Sequence, residues 1–151
     1  MKIVKKTLIA LLVLLVLIQL YRPEKNDAKY RDVASFIEDT KPDEDVVAIL
    51  EKHCFDCHSN KTEYPWYAEV APVSFWINHH VEDGNKHFNV SKWDMYKIKK
   101  RDHKLDELIE ELEEGKMPLD SYTWLHGSIT SQEKEALIDW AKKVRLGYNL
   151  K

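Results

Sequence analysis

Between Thr7 and Leu20 the chain is apolar at nearly every position, whereas beyond residue 30 apolar side chains recur at intervals of three and four. The first block has no polar face over residues 8–18, so it predicts a helix that belongs in lipid rather than against a core. Lys2, Lys5 and Lys6 precede it and Arg22-Pro23 closes it. The nineteen residues from Ile3 to Tyr21 are about enough for one tilted membrane span. No small-x-small site follows, so residues 1–21 read as an uncleaved signal anchor, with a cleaved signal peptide as the alternative. Positive flanks favour the cytoplasmic side. Residues 22 onward are therefore expected outside the cytoplasm, on the periplasmic face of the inner membrane, in a single-pass arrangement.

Residues 22–29 are polar and open with a proline, which predicts a linker, and the folded domain is expected over residues 30–151. No stretch alternates long enough for a strand, so the class is all-α. A first helix is expected over 42–52, with Asp43, Glu44 and Asp45 in the turn where carboxylates suit the helix dipole. A second starts near Pro72, carries Phe75, Trp76, Ile77 and His80, and ends by Gly84; a third begins at Ser91 as N-cap before Trp93 and Tyr96. Leu105, Leu108, Ile109 and Leu112 give the clearest amphipathic spacing, closed by Gly115. After an irregular stretch, Thr130-Ser131-Gln132-Glu133 reads as a capping box, and Leu137, Trp140, Ala141 and Val144 carry a last helix over 131–145.

The 151 residues have an ordinary globular composition, 44% apolar and 32% charged, consistent with one compact domain. Charge changes the picture more. All 26 acidic residues lie beyond residue 21 while three of the 23 basic ones precede it, so the exported part carries −6. An acidic surface argues against nucleic acid and for electrostatic choice among protein partners. The basic run Lys97–Lys104 reads as a solvated helix face.

Both cysteines of the chain fall in Cys54-Phe55-Asp56-Cys57-His58, the pattern of c-type haem attachment. Two thiols three residues apart can reach the two haem vinyl groups as thioethers, and the adjacent imidazole of His58 can reach the iron as proximal ligand. A thioredoxin-like motif would want a βαβ neighbourhood, a zinc site a second ligand pair, and a disulfide across three residues closes too small a loop to stabilise much. None of these fits as well as one covalent haem c.

An electron carrier needs a sixth iron ligand, and Met117 is the first candidate: it follows a helix, precedes another, and Pro118 restricts it to extended conformations. The competing reading of Met117 is core packing. His79, His80, His87 and His126 are rival ligands, an open position is the third possibility, and His53 and His103 read as surface residues on helices. Tyr64, Trp66, Tyr67, Phe75 and Trp76 are expected to wall the macrocycle and exclude water.

From Val46 to Val144 the sequence resembles the bacterial haem-binding domain family. The resemblance is carried by Cys54 to His58 with Ser59, Asn60, Thr62, Tyr64, Pro65, Trp66 and Tyr67, then by Pro72, Trp76, His80, Gly84, Asn89, Ser91 and Trp93. It continues through Gly115, Met117, Pro118, Tyr122, His126, Thr130 and Trp140. It implies a cytochrome c-like fold whose terminal helices pack together beside the haem. The expectation is thus a membrane-tethered cytochrome passing single electrons to redox partner proteins. Two alternatives use an open or labile sixth position: a peroxidase-like haem enzyme, with His79, His80 or His126 as acid–base group, and a haem-based gas sensor.

Overall fold

The computed structural model describes residues 2–149. Eight α-helices follow one another: α1 (Lys2–Ile18), α2 (Ala34–Thr40), α3 (Glu44–His53), α4 (Phe55–His58), α5 (Val73–His87), α6 (Ile98–Glu113), α7 (Asp120–His126) and α8 (Ser131–Asn149). Short 3₁₀ turns lie at Trp66–Glu69 and Val90–Met95. Among the described residues β pairing is limited to one isolated antiparallel bridge between Asp27 and Lys61. The chain is all-α, as its periodicity requires.

Caps and apolar spacing explain the long helices. Asp43 caps α3 by accepting the Val46 N–H at 2.9 Å, and Val46, Ile49 and Leu50 point into the core. Helix α6 buries Leu105, Ile109 and Leu112. It ends in a Schellman turn: the Lys116 N–H reaches Glu111 O (2.9 Å), the Gly115 N–H reaches Leu112 O (3.1 Å), and Gly115 takes φ 69°. Thr130 and Glu133 form the reciprocal capping box of α8, at 2.8 and 3.1 Å. Helix α8 packs on α6 and α3. It continues past the expected residue 145 because Tyr148 is buried and donates to Asp39. Arg145 ties it to Asp102 at 2.9 Å and also to Asp106, both on α6.

Phe36 is the hub of the core. Its ring meets Phe55, Phe88, Trp93 and Trp140 edge to face, with centroids 5.0–6.3 Å apart. Helix α2, which carries it, was not among the expected elements. Helix α7 also occupies a stretch expected to be irregular. The helix expected from Ser91 is instead the 3₁₀ turn Val90–Met95, capped by Asn89, whose side chain accepts the Ser91 N–H at 2.9 Å. Helix α5 runs three residues beyond Gly84, which is a contact glycine rather than a terminus: a Cβ there would lie 2.6 Å from the carbonyl oxygen of Cys57.

The N-terminal expectation is corrected in two ways. Helix α1 stops at Ile18 after 17 residues, and among the described residues no helix is long and apolar enough to cross a membrane. It stops because the Gln19 amide turns back to Leu15 O (2.9 Å) and outward to Ala71, while residues 19–21 make only i−3 turns. The segment expected as a linker is a strap on the domain. Asn26 gives Ser59 O and the Thr62 hydroxyl hydrogen bonds of 2.9 and 3.0 Å, accepts the Thr62 N–H at 2.9 Å, and donates its own N–H to the Tyr64 hydroxyl at 3.0 Å.

Candidate functional site

Helix α3 delivers the chain to Cys54, whose N–H still bonds to Leu50 O at 2.9 Å. One turn later the Cys57 and His58 N–H groups both return to Cys54 O, at 3.2 and 3.0 Å. This single turn puts the thiols of Cys54 and Cys57 on one side, three residues apart. Phe55 is driven the other way into the core. Both thiols are free and half-buried, and burial pushes each up to about 12, helped at Cys54 by Cys57 and at Cys57 by Asp56. They are therefore neutral thiols at pH 7, unlike the activated thiolate of a disulfide oxidoreductase. Among the described residues no group of three or more His, Cys, Asp or Glu side chains is disposed to hold a metal ion. The pair thus lacks the companions that a zinc site needs.

His58 closes the turn. Its Nδ1 lies 2.9 Å from Phe88 O and 3.1 Å from Gly84 O. A carbonyl only accepts, so Nδ1 carries the proton and Nε2 keeps a free lone pair. Burial lowers the His58 pKa from its ordinary value, partly offset by those two carbonyls, which favours the neutral ring that binds metals. A fixed tautomer with the second nitrogen tied to backbone is the arrangement that orients metal-ligating histidines. Gly84 lets α5 come close enough to supply one of these carbonyls.

The residues after the motif hold the turn in place. Ser59 is fully buried, and its hydroxyl donates to Phe55 O (2.6 Å) and is 3.0 Å from Lys61 O. Asn60 Oδ1 accepts from the Asp32 N–H (2.9 Å) and the Ser91 hydroxyl (3.1 Å), and the Thr62 hydroxyl donates to Asp56 O. Arg31 pairs with Asp56 at 2.7 Å. The Ser91 hydroxyl, expected to cap a helix, pins the motif instead.

Beside Cys57 lies an open cleft with about 70 Å³ of enclosed space. Tyr67, Trp76, Ile77, His80 and Val81 form one wall, and Leu119, Tyr122, Leu125 and His126 the other. Its lining is mainly apolar and aromatic with a few polar groups, as ligand sites are. Of the five aromatic residues expected there, Tyr67 and Trp76 line the cleft, whereas Trp66 is 80% exposed, the Tyr64 hydroxyl meets the Asn26 N–H and Phe75 packs on Tyr21. Among the rival ligands, His79 and His87 are on the surface, the former paired with Asp83 at 3.2 Å, while His80 and His126 line the cleft. His126 stacks on the Tyr122 ring, centroids 4.1 Å apart, and gives Nδ1–H to Tyr122 O at 3.1 Å. Met117 is half-buried in the turn after α6, with its N–H on Glu111 O at 3.2 Å. It sits two residues before Leu119 and is not itself among the lining residues.

His103 is exposed, as expected, but His53 is not. Its side chain is fully buried, neither ring nitrogen has a hydrogen-bond partner, and Glu133 is 3.9 Å away. Its spacing from Ile49 and Leu50 on α3 already carried that signal.

Paired neutral thiols, an imidazole with a free Nε2, and an apolar cleft lined by one of the thiols, Cys57, are a donor set that suits haem, so fold and site define a helical haem-binding protein. Residues 13–143 match the family model described as Haem-binding domain, and the chain belongs to that family. No curated protein and no solved structure matches it.

Proposed function

We propose that this haem-binding domain is a single-haem c-type cytochrome that carries one electron at a time between redox partner proteins. In this reading Cys54 and Cys57 would hold the haem through two thioethers, and His58 and Met117 would ligate its iron. The observation that carries it is the His58 ring, held by Phe88 O and Gly84 O with Nε2 free, on the same helical turn as two neutral thiols. When bound, haem supplies reversible one-electron chemistry; the chain supplies ligands and a cleft that limits water. The contact between α3, which precedes the motif, and the C-terminal α8 supports a cytochrome c-like arrangement.

Helix α1 supports attachment to a membrane, because Ile3, Leu8, Leu12 and Val16 and the residues between them are exposed on every side. Its 17 residues rise about 26 Å, short of the roughly 30 Å of a full hydrocarbon layer, so the helix supports attachment by insertion rather than a complete span. The lysines before it orient the haem domain to the periplasmic side of the inner membrane.

A second reading rests on the two cleft imidazoles, His80 and His126, which could serve acid–base chemistry at an open sixth position. A potentiometric titration of the holoprotein, followed by its spectrum, separates the two. The carrier reading predicts one reversible one-electron step with a low-spin spectrum in both oxidation states. A high-spin ferric protein that turns over peroxide would establish the enzyme instead.

A further inference from the structure

Gln19, the first residue past α1, holds Ala71 by both of its backbone groups. Gln19 Oε1 accepts the Ala71 N–H at 2.9 Å, and Gln19 Nε2 donates to Ala71 O at 3.0 Å while also bonding Leu15 O. Two residues on, the Tyr21 ring meets Phe75 edge to face at 5.5 Å. Arg22 and Lys25 then pair with Glu69, and Asn26 bonds into the motif extension. The apolar helix is therefore joined to the haem domain by a clamp rather than a swivel.

The corner that this clamp grips, residues 66–76, is a place where the domain exposes apolar surface next to α1, as α7 does elsewhere with Trp124 and Leu125. Trp66 is 80% exposed, Trp76 47%, Val70 44% and Val73 38%; Leu20 and Tyr21 beside the clamp are 81% and 68% exposed. Its carboxylate, Glu69, is neutralised by Arg22 and Lys25.

We propose that this corner seats the haem domain on the lipid surface, with Trp66, Val70, Val73 and Trp76 in the headgroup layer. The proposal rests on the membrane reading of α1. If α1 lies in hydrocarbon, Ala71 is fixed to the residue at which the helix ends, so the corner is held at the depth of the membrane–water boundary. Aromatic side chains are enriched at that boundary, and burying exposed valines there removes apolar area from water. Trp76 is also a wall of the cleft. The cleft consequently opens at the edge of the lipid-facing surface, which fits an electron partner that is itself held at the membrane.

The test uses full-length holoprotein in phosphatidylethanolamine–phosphatidylglycerol vesicles. Single cysteines at Leu12→Cys, Val70→Cys and Val73→Cys are labelled with a nitroxide, after confirming that the wild type takes no label. Collision rates with oxygen and with a water-soluble nickel chelate then report depth. All three labels are expected to collide several-fold more with oxygen than with the chelate, and Gln19→Ala is expected to raise chelate access several-fold at residue 70 but not at residue 12. Chelate-accessible labels at 70 and 73 with residue 12 in lipid would overturn the seating and leave the tether standing. Chelate access at residue 12 as well would overturn both, and a Gln19→Ala variant with residue 70 still in lipid would overturn the clamp.

Discussion

Beside His58, the side chains of Ser59, Asn60 and Thr62 each bond to the backbone of the motif or of the strap before α2. Across the cleft, α7 buries no residue, and Trp124 and Leu125 are 80% and 65% exposed. The link from α7 to the motif is the Tyr122 hydroxyl, 3.0 Å from Lys52 O and 3.1 Å from Asp56 Oδ2. At about 1 kcal/mol net per hydrogen bond, the His58 wall is several kcal/mol better fixed than the α7 wall. The difference divides the labour. The motif side presents thiols and imidazole in a set geometry, while α7 is held to the domain with no buried residue of its own.

Changes on the fixed wall should therefore be the most damaging. Removing both thiols, Cys54→Ala with Cys57→Ala, is expected to abolish covalent haem, and either change alone to leave a single weaker link. Haem staining of a denaturing gel and pyridine haemochrome quantify this; covalent haem surviving the double change would refute the attachment.

Gly84→Ala comes next, because its Cβ would meet backbone at Cys57 O, 2.6 Å away, rather than a side chain that can step aside. A cost of about 1–3 kcal/mol is expected, with lower haem incorporation. A urea midpoint equal to wild type would show that the approach of α5 to the motif is not a tight constraint.

In the turn between α6 and α7, Met117→Ala should change the spectrum more than the stability. Low-spin haem is expected to become high-spin or water-ligated, with a lower reduction potential and more peroxidase activity. Should Met117→Ala leave the spectrum as it was while His126→Ala or His80→Ala alters it, the sixth ligand is a histidine of the cleft.

The smallest effect concerns His53, whose buried ring lies 3.9 Å from Glu133 on α8. Burial, with Lys52 nearby, lowers its pKa below the ordinary 6.5, against the opposing pull of Glu133. The unfolded chain then binds the extra proton first, so stability is full above about pH 6.5 and is lost as pH falls through that value. His53→Leu removes the titration and two unpartnered nitrogens, and should raise stability at pH 5.5 by about 1 kcal/mol. Urea unfolding of both proteins at pH 7.5 and 5.5 reads the sign, and an unchanged pH slope would contradict it.

The same division runs through what the sequence made legible. Cys54, Cys57 and His58 could be read because their chemistry is compressed into five consecutive residues. Helices α3, α6 and α8 could be read because caps and apolar spacing are local. Helix α2 is only seven residues long, too short for its Phe36, Ile37 and Thr40 to make a period stand out. Helix α7 has no buried face to advertise it; Asp120 in its first turn, two residues after Pro118, was its one signal. The strap was illegible for another reason: Asn26 bonds to partners 33 and 36 residues away, and no local pattern encodes such pairing. Gly84 carried the opposite ambiguity, since a helix terminus and a close backbone approach both call for glycine.

Everything proposed for this protein depends on one haem bonded covalently to Cys54 and Cys57. The most direct measurement is the intact mass of the holoprotein, made in cells that attach haem outside the cytoplasm and unfolded in acid and organic solvent before weighing. The holoprotein should weigh the polypeptide plus one haem, with no bare chain. A polypeptide at its own mass, its haem extracted by the solvent, would contradict covalent attachment.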